Sequence, residues 1–269
     1  MKKILKQYWF NQAENFGDAL APKITEYVTG LSVEWAAPED CELFGLGSVL
    51  GYALVTGQKR KALGRKAYIW GTGLGSPAKI TSNIDELNLQ VLGLRGRNTS
   101  ASLNLQQIPI GDPGLLVREI YPEMLQNDRK YQGGLVVHMS HTIHAAGEKH
   151  LNNLGWIVIY AKSNDYENII SQISKCKMIL SSSLHGLVIA DSFCIPNDWI
   201  NPDDIHQTPR FKFFDYATAL NRKFEEPYSF KLDEIYLAIE RVKKKSTEYW
   251  LSIDHVNEQM KNALGEVFI

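Results

Sequence analysis

Short apolar runs alternate with stretches of helical spacing along this chain. Residues 4–9 predict a first strand. The polar turn Asn15-Phe16-Gly17-Asp18 follows, and Leu20, Ile24, Tyr27 and Val28 then line one side of a helix over 19–28. Residues 42–46, 67–70 and 89–94 predict further strands. They end on Gly45 and Gly47, on Gly71-Thr72-Gly73 and on Arg95-Gly96-Arg97, with helices expected over 48–55 and near 98–105. Strands that alternate with helices and end on glycine predict βαβ units around a parallel sheet.

The polar segment 121–134, ending in a glycine pair, interrupts the rhythm and reads as a linker. Beyond it the alternation restarts, with strands over 135–138, 156–160, 178–180 and 199–200 and helices over 165–176 and 183–193. From 231 to 264 the pattern is helical, with Leu232, Ile235, Tyr236, Ile239 and Val242 as its apolar stripe. The expectation is an α/β protein of two Rossmann-like domains facing a cleft, residues 1–126 and 127–269, closed by helices over 231–264. Ligands of such sheets sit beyond the carboxyl ends of the strands, so the loops there are where chemistry is sought.

A chain of 269 residues can bury such cores without disulfides or a structural metal. With 44% hydrophobic and 22% charged residues, wholesale disorder is excluded. Lys+Arg of 29 against Asp+Glu of 30 argues against a dedicated nucleic-acid binder but leaves room for a local cationic pocket. Cys41, Cys176 and Cys194 show neither CxxC spacing nor a disulfide framework, which favours a reducing compartment. Lys6, Gln7 and Asn11 break the first apolar stretch, and no run approaches the ~20 apolar residues of a spanning helix. A cytoplasmic protein is expected, one that visits the inner face of a membrane through a partner or substrate.

Three strand-end loops carry ionisable groups. Asp18 stands at the start of a helix, where it can act as an N-cap or, facing the cleft, as a general base toward a hydroxyl. Arg95 and Arg97 flank Gly96, and arginine gives bidentate contacts to phosphate or carboxylate, although a pair of surface ion pairs fits equally. Ser181-Ser182-Ser183-Leu184-His185-Gly186 ends a buried strand and opens a helix, whose free N–H groups favour an anion. His185 falls in the first turn, an unusual place for a purely structural histidine. Lys212 lies among aromatics and can rest its stem on an apolar face. Trp9, Trp70 and Trp199 lie near strand ends, where they can stack on sugars or fill the core. His138, His141 and His144 lack a carboxylate or thiol at a metal-like interval, so no metal is expected. The chain carries no GxxxxGK[ST] and no dinucleotide fingerprint.

In their order along the chain these loops resemble the polysaccharide pyruvyl transferase family, in the branch that includes succinoglycan-type enzymes. The matching elements are Asn15-Phe16-Gly17-Asp18, Trp70-Gly71-Thr72-Gly73, Leu94-Arg95-Gly96, Gly111-Asp112-Pro113, the strand ending at His138, Ser182-Ser183-Leu184-His185-Gly186, and Lys212 with Asp215-Tyr216. The resemblance implies a GT-B-like pair of Rossmann-like domains, the first on the acceptor side and the second on the donor side. It implies no cofactor, phosphoenolpyruvate as donor and a glycan with two free hydroxyls as acceptor, lipid-linked or polymeric. The product is a pyruvate ketal on an exopolysaccharide, capsule or cell-wall glycan. Many relatives carry Arg immediately before the Leu-His pair; here Ser183 stands there. The missing charge must come from Arg95, Arg97, Arg210 or Lys212.

On this reading His185 is the general acid and Asp18 the general base. Arg95, Lys212, Ser182 and Ser183 hold the donor, and Asn15 and Trp70 meet the acceptor. A helix N-terminus lowers a histidine pKa and a bound phosphate raises it, so His185 is expected neutral without donor and protonated with it. Two other classes compete: a GT-B-like glycosyltransferase using a nucleotide-sugar, and an inactive relative that binds glycans or anions.

Overall fold

The computed structural model describes residues 4–80, 84–126, 128–201 and 210–268. Residues 1–3 and 127, at the limits of the two expected domains, lie outside the described residues. The first half contributes β1 (Ile4–Tyr8), α1 (Phe16–Ala19), α2 (Ala21–Thr29), β2 (Ser32–Trp35), β3 (Leu43–Phe44), α3 (Leu50–Ala62), β4 (Ala67–Trp70), β5 (Leu89–Gly93), α4 (Arg97–Ser102) and α5 (Val117–Ile120). The second half contributes β6 (Gly133–Val137), α6 (Ala145–Asn153), β7 (Trp156–Tyr160), α7 (Tyr166–Ser174), β8 (Ile179–Ser181), α8 (Leu184–Ser192), β9 (Asn197–Trp199), α9 (Arg210–Ala219), α10 (Leu232–Lys244) and α11 (Ile253–Phe268).

Among the described residues the strands form two parallel sheets, ordered β2-β1-β3-β4-β5 and β7-β6-β8-β9. Each steps outward from its first strand and then back across it, so the direction of winding reverses between β1 and β3 and between β6 and β8. Such a switch opens a crevice beyond the strand ends. The loops after β1, β3, β6 and β8 are therefore the ones that bear on function.

Burial explains the elements. β6 is central and wholly buried, so its sequence is an unbroken apolar run rather than an alternation. Gly133 and Gly134 begin this strand instead of ending a linker. A Cβ at Gly133 would strike the Trp156 ring, and one at Gly134 would lie 2.8 Å from the Cys176 sulfur. The segment before them is pinned, since the buried Tyr121 donates to Glu167 at 2.9 Å and the Arg129 guanidinium donates to the Ser174 carbonyl.

One apolar core runs through both halves, from Leu5, Ile24 and Trp70 through Leu115 and Val117 to Leu187 and Ile170. A second lies beneath α3, with Phe44, Leu50 and Ile69, and a third beneath α10, with Leu135, Leu180 and Ile239.

The helices expected over 231–264 are two, and the continuous helical pattern read there is broken between them. α10 stops at Lys244, Lys245 adopts extended backbone (φ −68°, ψ 139°), and a 3-10 turn over Glu248–Ser252 leads into α11. The apolar stripes of the two helices serve different sheets. α10 packs beside β6 and β8, whereas α11 returns to the first sheet, where the Trp70 indole N–H donates to the Met260 carbonyl at 2.8 Å and Phe268 meets the Tyr68 ring. β2, α6 and α9 carry too little apolar periodicity to be read from the sequence; α9 buries Asp215 and Tyr216 alongside Phe213.

Candidate active site

The loop after β1 lies against the second half of the molecule. The Phe16 N–H donates to the Ala161 carbonyl just past β7 at 3.1 Å, and the buried Phe16 ring meets the His185 imidazole edge-on, 6.4 Å between centroids. Gly17 presses directly on that imidazole, and a Cβ there would collide with Nδ1. Asn15, not Asp18, occupies the position before α1, with extended backbone. This corrects the N-cap reading of Asp18: the helix starts at Phe16, so Asp18 lies within it and caps nothing. One oxygen of Asp18 accepts from the Asn15 amide at 2.6 Å. The other faces Gly47, whose added Cβ would stand 2.7 Å away and whose φ of +95° favours glycine. Asp18 is 8% exposed, and burial pushes its pKa up to about 6 against the opposing pull of Asn15 and Lys212.

β8 delivers His185. Ser181 Oγ ties the turn, donating to the Ser183 carbonyl at 2.7 Å and accepting from the Ser183 N–H at 3.0 Å. Ser182 Oγ accepts from the His138 N–H at 2.9 Å and so joins the ends of β6 and β8. Ser183 stands at the N-cap of α8 without a side-chain capping bond, and the first N–H groups of that helix have no intrahelical acceptor. His185 is 6% exposed, and its Nε2 is buried without a hydrogen-bond partner among the described residues. Burial, then Lys212 and Arg95, lowers its pKa to about 3, so the imidazole is uncharged at neutral pH.

Lys212 arrives from α9, which is clamped to the loop after β5. Asp215, on the next turn, accepts from the Thr99 N–H at 2.8 Å, the Thr99 hydroxyl at 2.7 Å and Arg95 Nε at 3.1 Å. Lys212 is half-buried, with Nζ 5.6 Å from the Phe213 ring centroid and no ion pair or hydrogen bond to the described residues. Burial, reinforced by Arg95 and opposed by Asp18, lowers its pKa to about 8.

Two other expected contacts are differently placed. Arg95 is 0% exposed; it pairs with Asp215 at 3.0 Å and donates to the Leu74 carbonyl at 2.6 Å and to Ser48 Oγ at 2.9 Å. Every guanidinium nitrogen is occupied, so Arg95 braces the loops beside the site and is not a free cation. Trp70 is buried under α11, and its packing leaves no ring face for a sugar. Of the other candidate cations, Arg97 is exposed and bonds Thr218, and Arg210 pairs with Glu226 at 2.5 Å. Trp199 is core, stacked among Phe213, Phe214 and Phe224.

Two residues carry more than the sequence assigned them. Asp112 caps its turn through the Gly114 N–H at 2.9 Å, its second oxygen is buried without a partner among the described residues, and burial pushes its pKa up to about 6. Asp191 is fully buried and accepts from Asn197, Tyr216, Arg222, Tyr249 and Trp250 at 2.6–3.2 Å. The available signal was a carboxylate inside the otherwise apolar run of α8. Among the described residues no group of three or more metal-binding side chains gathers, and no helix is long and apolar enough to cross a membrane.

Comparison with known proteins finds a match between residues 6–204 and the family described as polysaccharide pyruvyl transferase. The succinoglycan biosynthesis protein ExoV of Rhizobium meliloti (strain 1021) is 26% identical over 214 residues, 79% of this chain and 64% of that protein. An uncharacterised protein of Acanthamoeba polyphaga mimivirus is 28% identical over 165 residues, 58% of this chain and 55% of its own length. The chain thus spans somewhat more than half the length of these curated relatives. Among solved structures, the apo form of D-lactate dehydrogenase from Escherichia coli aligns over 97% of this chain and 95% of that one at 14% identity and a TM-score of 0.24, too low to carry an argument.

Proposed function

The chain belongs to the polysaccharide pyruvyl transferase family, and on that premise we propose that it forms a pyruvate ketal on a sugar of an exopolysaccharide, capsule or cell-wall glycan, with phosphoenolpyruvate as donor. The supporting observation is the convergence of Asp18, His185 and Lys212 from three separate segments, with Gly17 in contact with His185 and the charge of Lys212 acting on both other groups. We read the two halves as GT-B-like, with the acceptor on the side of the first sheet and the donor on the side of the second. The acceptor is lipid-linked in this reading, which places the protein in the cytoplasm at the inner face of the membrane.

Lys212, carrying no ion pair among the described residues, is the cation that meets the donor and takes the place of the arginine absent at Ser183. The N–H groups of the first turn of α8, which follow Ser182 and Ser183, meet its second anionic group. Arg95 acts as a positioning residue through Asp215 and Ser48. The phosphate adds negative charge beside His185 and raises its pKa, so the imidazole becomes an acid only with donor bound. It gives its proton to the methylene carbon, which becomes the methyl group of the product, and the central carbon becomes electrophilic.

Asp18, ionised and held by Asn15, takes the proton of the first sugar hydroxyl as that oxygen bonds to the central carbon. The second hydroxyl displaces phosphate as the carbon–oxygen bond to it breaks. Of the two hydroxyl protons, one replaces the proton spent on the methyl group and the other leaves with phosphate. Lys212 and the helix N–H groups stabilise the departing charge. Asp18 and His185 are both covered in this structure, so substrates enter when the loop of Asn15–Asp18 lifts from His185.

The test is phosphate release from phosphoenolpyruvate with a panel of lipid-linked and soluble glycosides, comparing wild type with His185→Ala. Acceptor-dependent release that disappears in the variant is expected. Absence of release with every acceptor, together with a melting shift caused by a nucleotide-sugar, would transfer the protein to the glycosyltransferases. Absence of release and of any donor binding would mark an inactive glycan- or anion-binding relative.

A further inference from the structure

At the carboxyl edge of the first sheet, aromatic side chains gather beside Asp18. Trp35 ends β2 and donates its indole N–H to the Trp9 carbonyl at 3.1 Å, which lays the ring over the end of β1. Tyr52 stands in the first turn of α3, five residues beyond the Gly47 that touches Asp18. Between them, Tyr8 packs 6.3 Å from Trp35 and 5.1 Å from Tyr52, centroid to centroid, and forms a buried floor. Trp35 remains 43% exposed and Tyr52 38% exposed. The Tyr8 phenol is close enough to Asp18 for that carboxylate to oppose its ionisation.

Core packing does not explain this arrangement, because the two outer rings stay open to solvent although both rest on a fully packed third. The open rings lie at the carboxyl edge of the first sheet, beside the loop that runs from β1 through the exposed Asn11 and Gln12 to Asn15. Flat ring faces next to amide donors and acceptors suit a pyranose, whose C–H face is apolar and whose edge carries hydroxyls. Tyrosine and tryptophan provide such rigid, amphipathic contact area at small entropic cost.

We propose that Trp35 and Tyr52, on the Tyr8 floor, form the acceptor-sugar platform of this protein. A pyranose seated there directs a hydroxyl pair toward Asp18, and the glycan beyond it runs outward past β2. This rests on the pyruvyl transfer reading for the role of Asp18, while the platform itself is defined by sugar binding alone. It replaces Trp70 as the aromatic contact with the acceptor and keeps Asn15 at its inner end.

Saturation-transfer NMR with methyl glucoside, methyl galactoside, methyl mannoside and lactose tests binding without reference to catalysis. Wild type is expected to transfer saturation mainly to the C–H protons of one ring face. Trp35→Ala and Tyr52→Ala are each expected to lower the affinity about tenfold, with Trp35→Phe and Tyr52→Phe restoring most of it. Both residues are half-exposed, and unchanged melting temperatures confirm that the alanine variants are folded. In the phosphate-release assay the alanine variants raise the acceptor KM about tenfold and leave the KM for phosphoenolpyruvate unchanged.

Binding of no sugar in the panel by wild type, or an unchanged response in both alanine variants, overturns the platform. Turnover that survives both substitutions with unaltered acceptor KM overturns it as well, while the pyruvyl transfer reading stands. Ring-dependent sugar binding without any use of phosphoenolpyruvate supports the platform and sinks the donor assignment instead.

Discussion

Asp18 carries a carboxyl that burial keeps protonated up to about pH 6, where an exposed one would ionise near 4. Its folded-state pKa is raised, so its ionisation opposes folding as pH climbs past about 6, and that penalty vanishes below the ordinary carboxylate range. Asp18→Asn removes the charge and preserves the shape. At pH 8 this variant is expected to melt at or above the wild-type temperature, with the gap closing below pH 6, while turnover falls by at least ~100-fold. In wild type, kcat/KM rises through about pH 6 as Asp18 ionises and falls through about pH 8 as Lys212 loses its proton. An acid limb that persists in Asp18→Asn would move the base elsewhere. Asp18 and His185 could be singled out in the sequence because each follows a strand-end glycine or serine signal. Arg95 and Trp70 were read as contacts because residue type alone does not show that every guanidinium nitrogen, or both faces of an indole, are already occupied.

At the scale of elements, most strands were legible because a buried parallel strand is a short apolar run between turn signals. Residues 67–70 and 156–160 coincide with β4 and β7. β2 escaped because an edge strand of four half-exposed residues has no such run, and α9 because its buried positions include Asp215. The break between α10 and α11 escaped for a different reason: both halves carry apolar stripes, and only the position of the sheets shows that the stripes face different ones. The contact of Gly17 with His185 joins α1 to α8 in the same long-range way. Gly17→Ala is expected to push the loop or the imidazole aside, to cost about 1–3 kcal/mol and to reduce turnover about tenfold or more. Thermal denaturation and steady-state kinetics on one preparation check this. Unchanged values in both would mean that the loop does not rest on His185 in solution.

For the whole molecule, Asp191 joins α8 and β9 to α9, to the Arg222 segment and to the turn before α11. Asp191→Asn leaves the Arg222 guanidinium buried without its counter-charge, at an expected cost of about 3–5 kcal/mol, measurable as a fall in the urea midpoint. A loss below about 1 kcal/mol would show that the remaining donors hold these elements together without it. The continuous core through Leu115, Val117 and Leu187 couples the two sheets further, so the site is built on a frame shared by both halves.

Local physics is contained in the chain itself. Apolar runs, glycine-closed strand ends and the serine-rich turn before His185 determined two parallel α/β units, and the order of their loops determined the family resemblance, because these features depend on neighbours within a few residues. Tertiary structure decided which charges remain free and which aromatics remain open. Arg95 is neutralised by Asp215, 120 positions away, while Lys212 has no ion pair among the described residues; Trp70 is covered by α11, while Trp35 and Tyr52 stay exposed. Burial and pairing are properties of distant segments brought together, and no local pattern encodes which of two equivalent side chains will be covered.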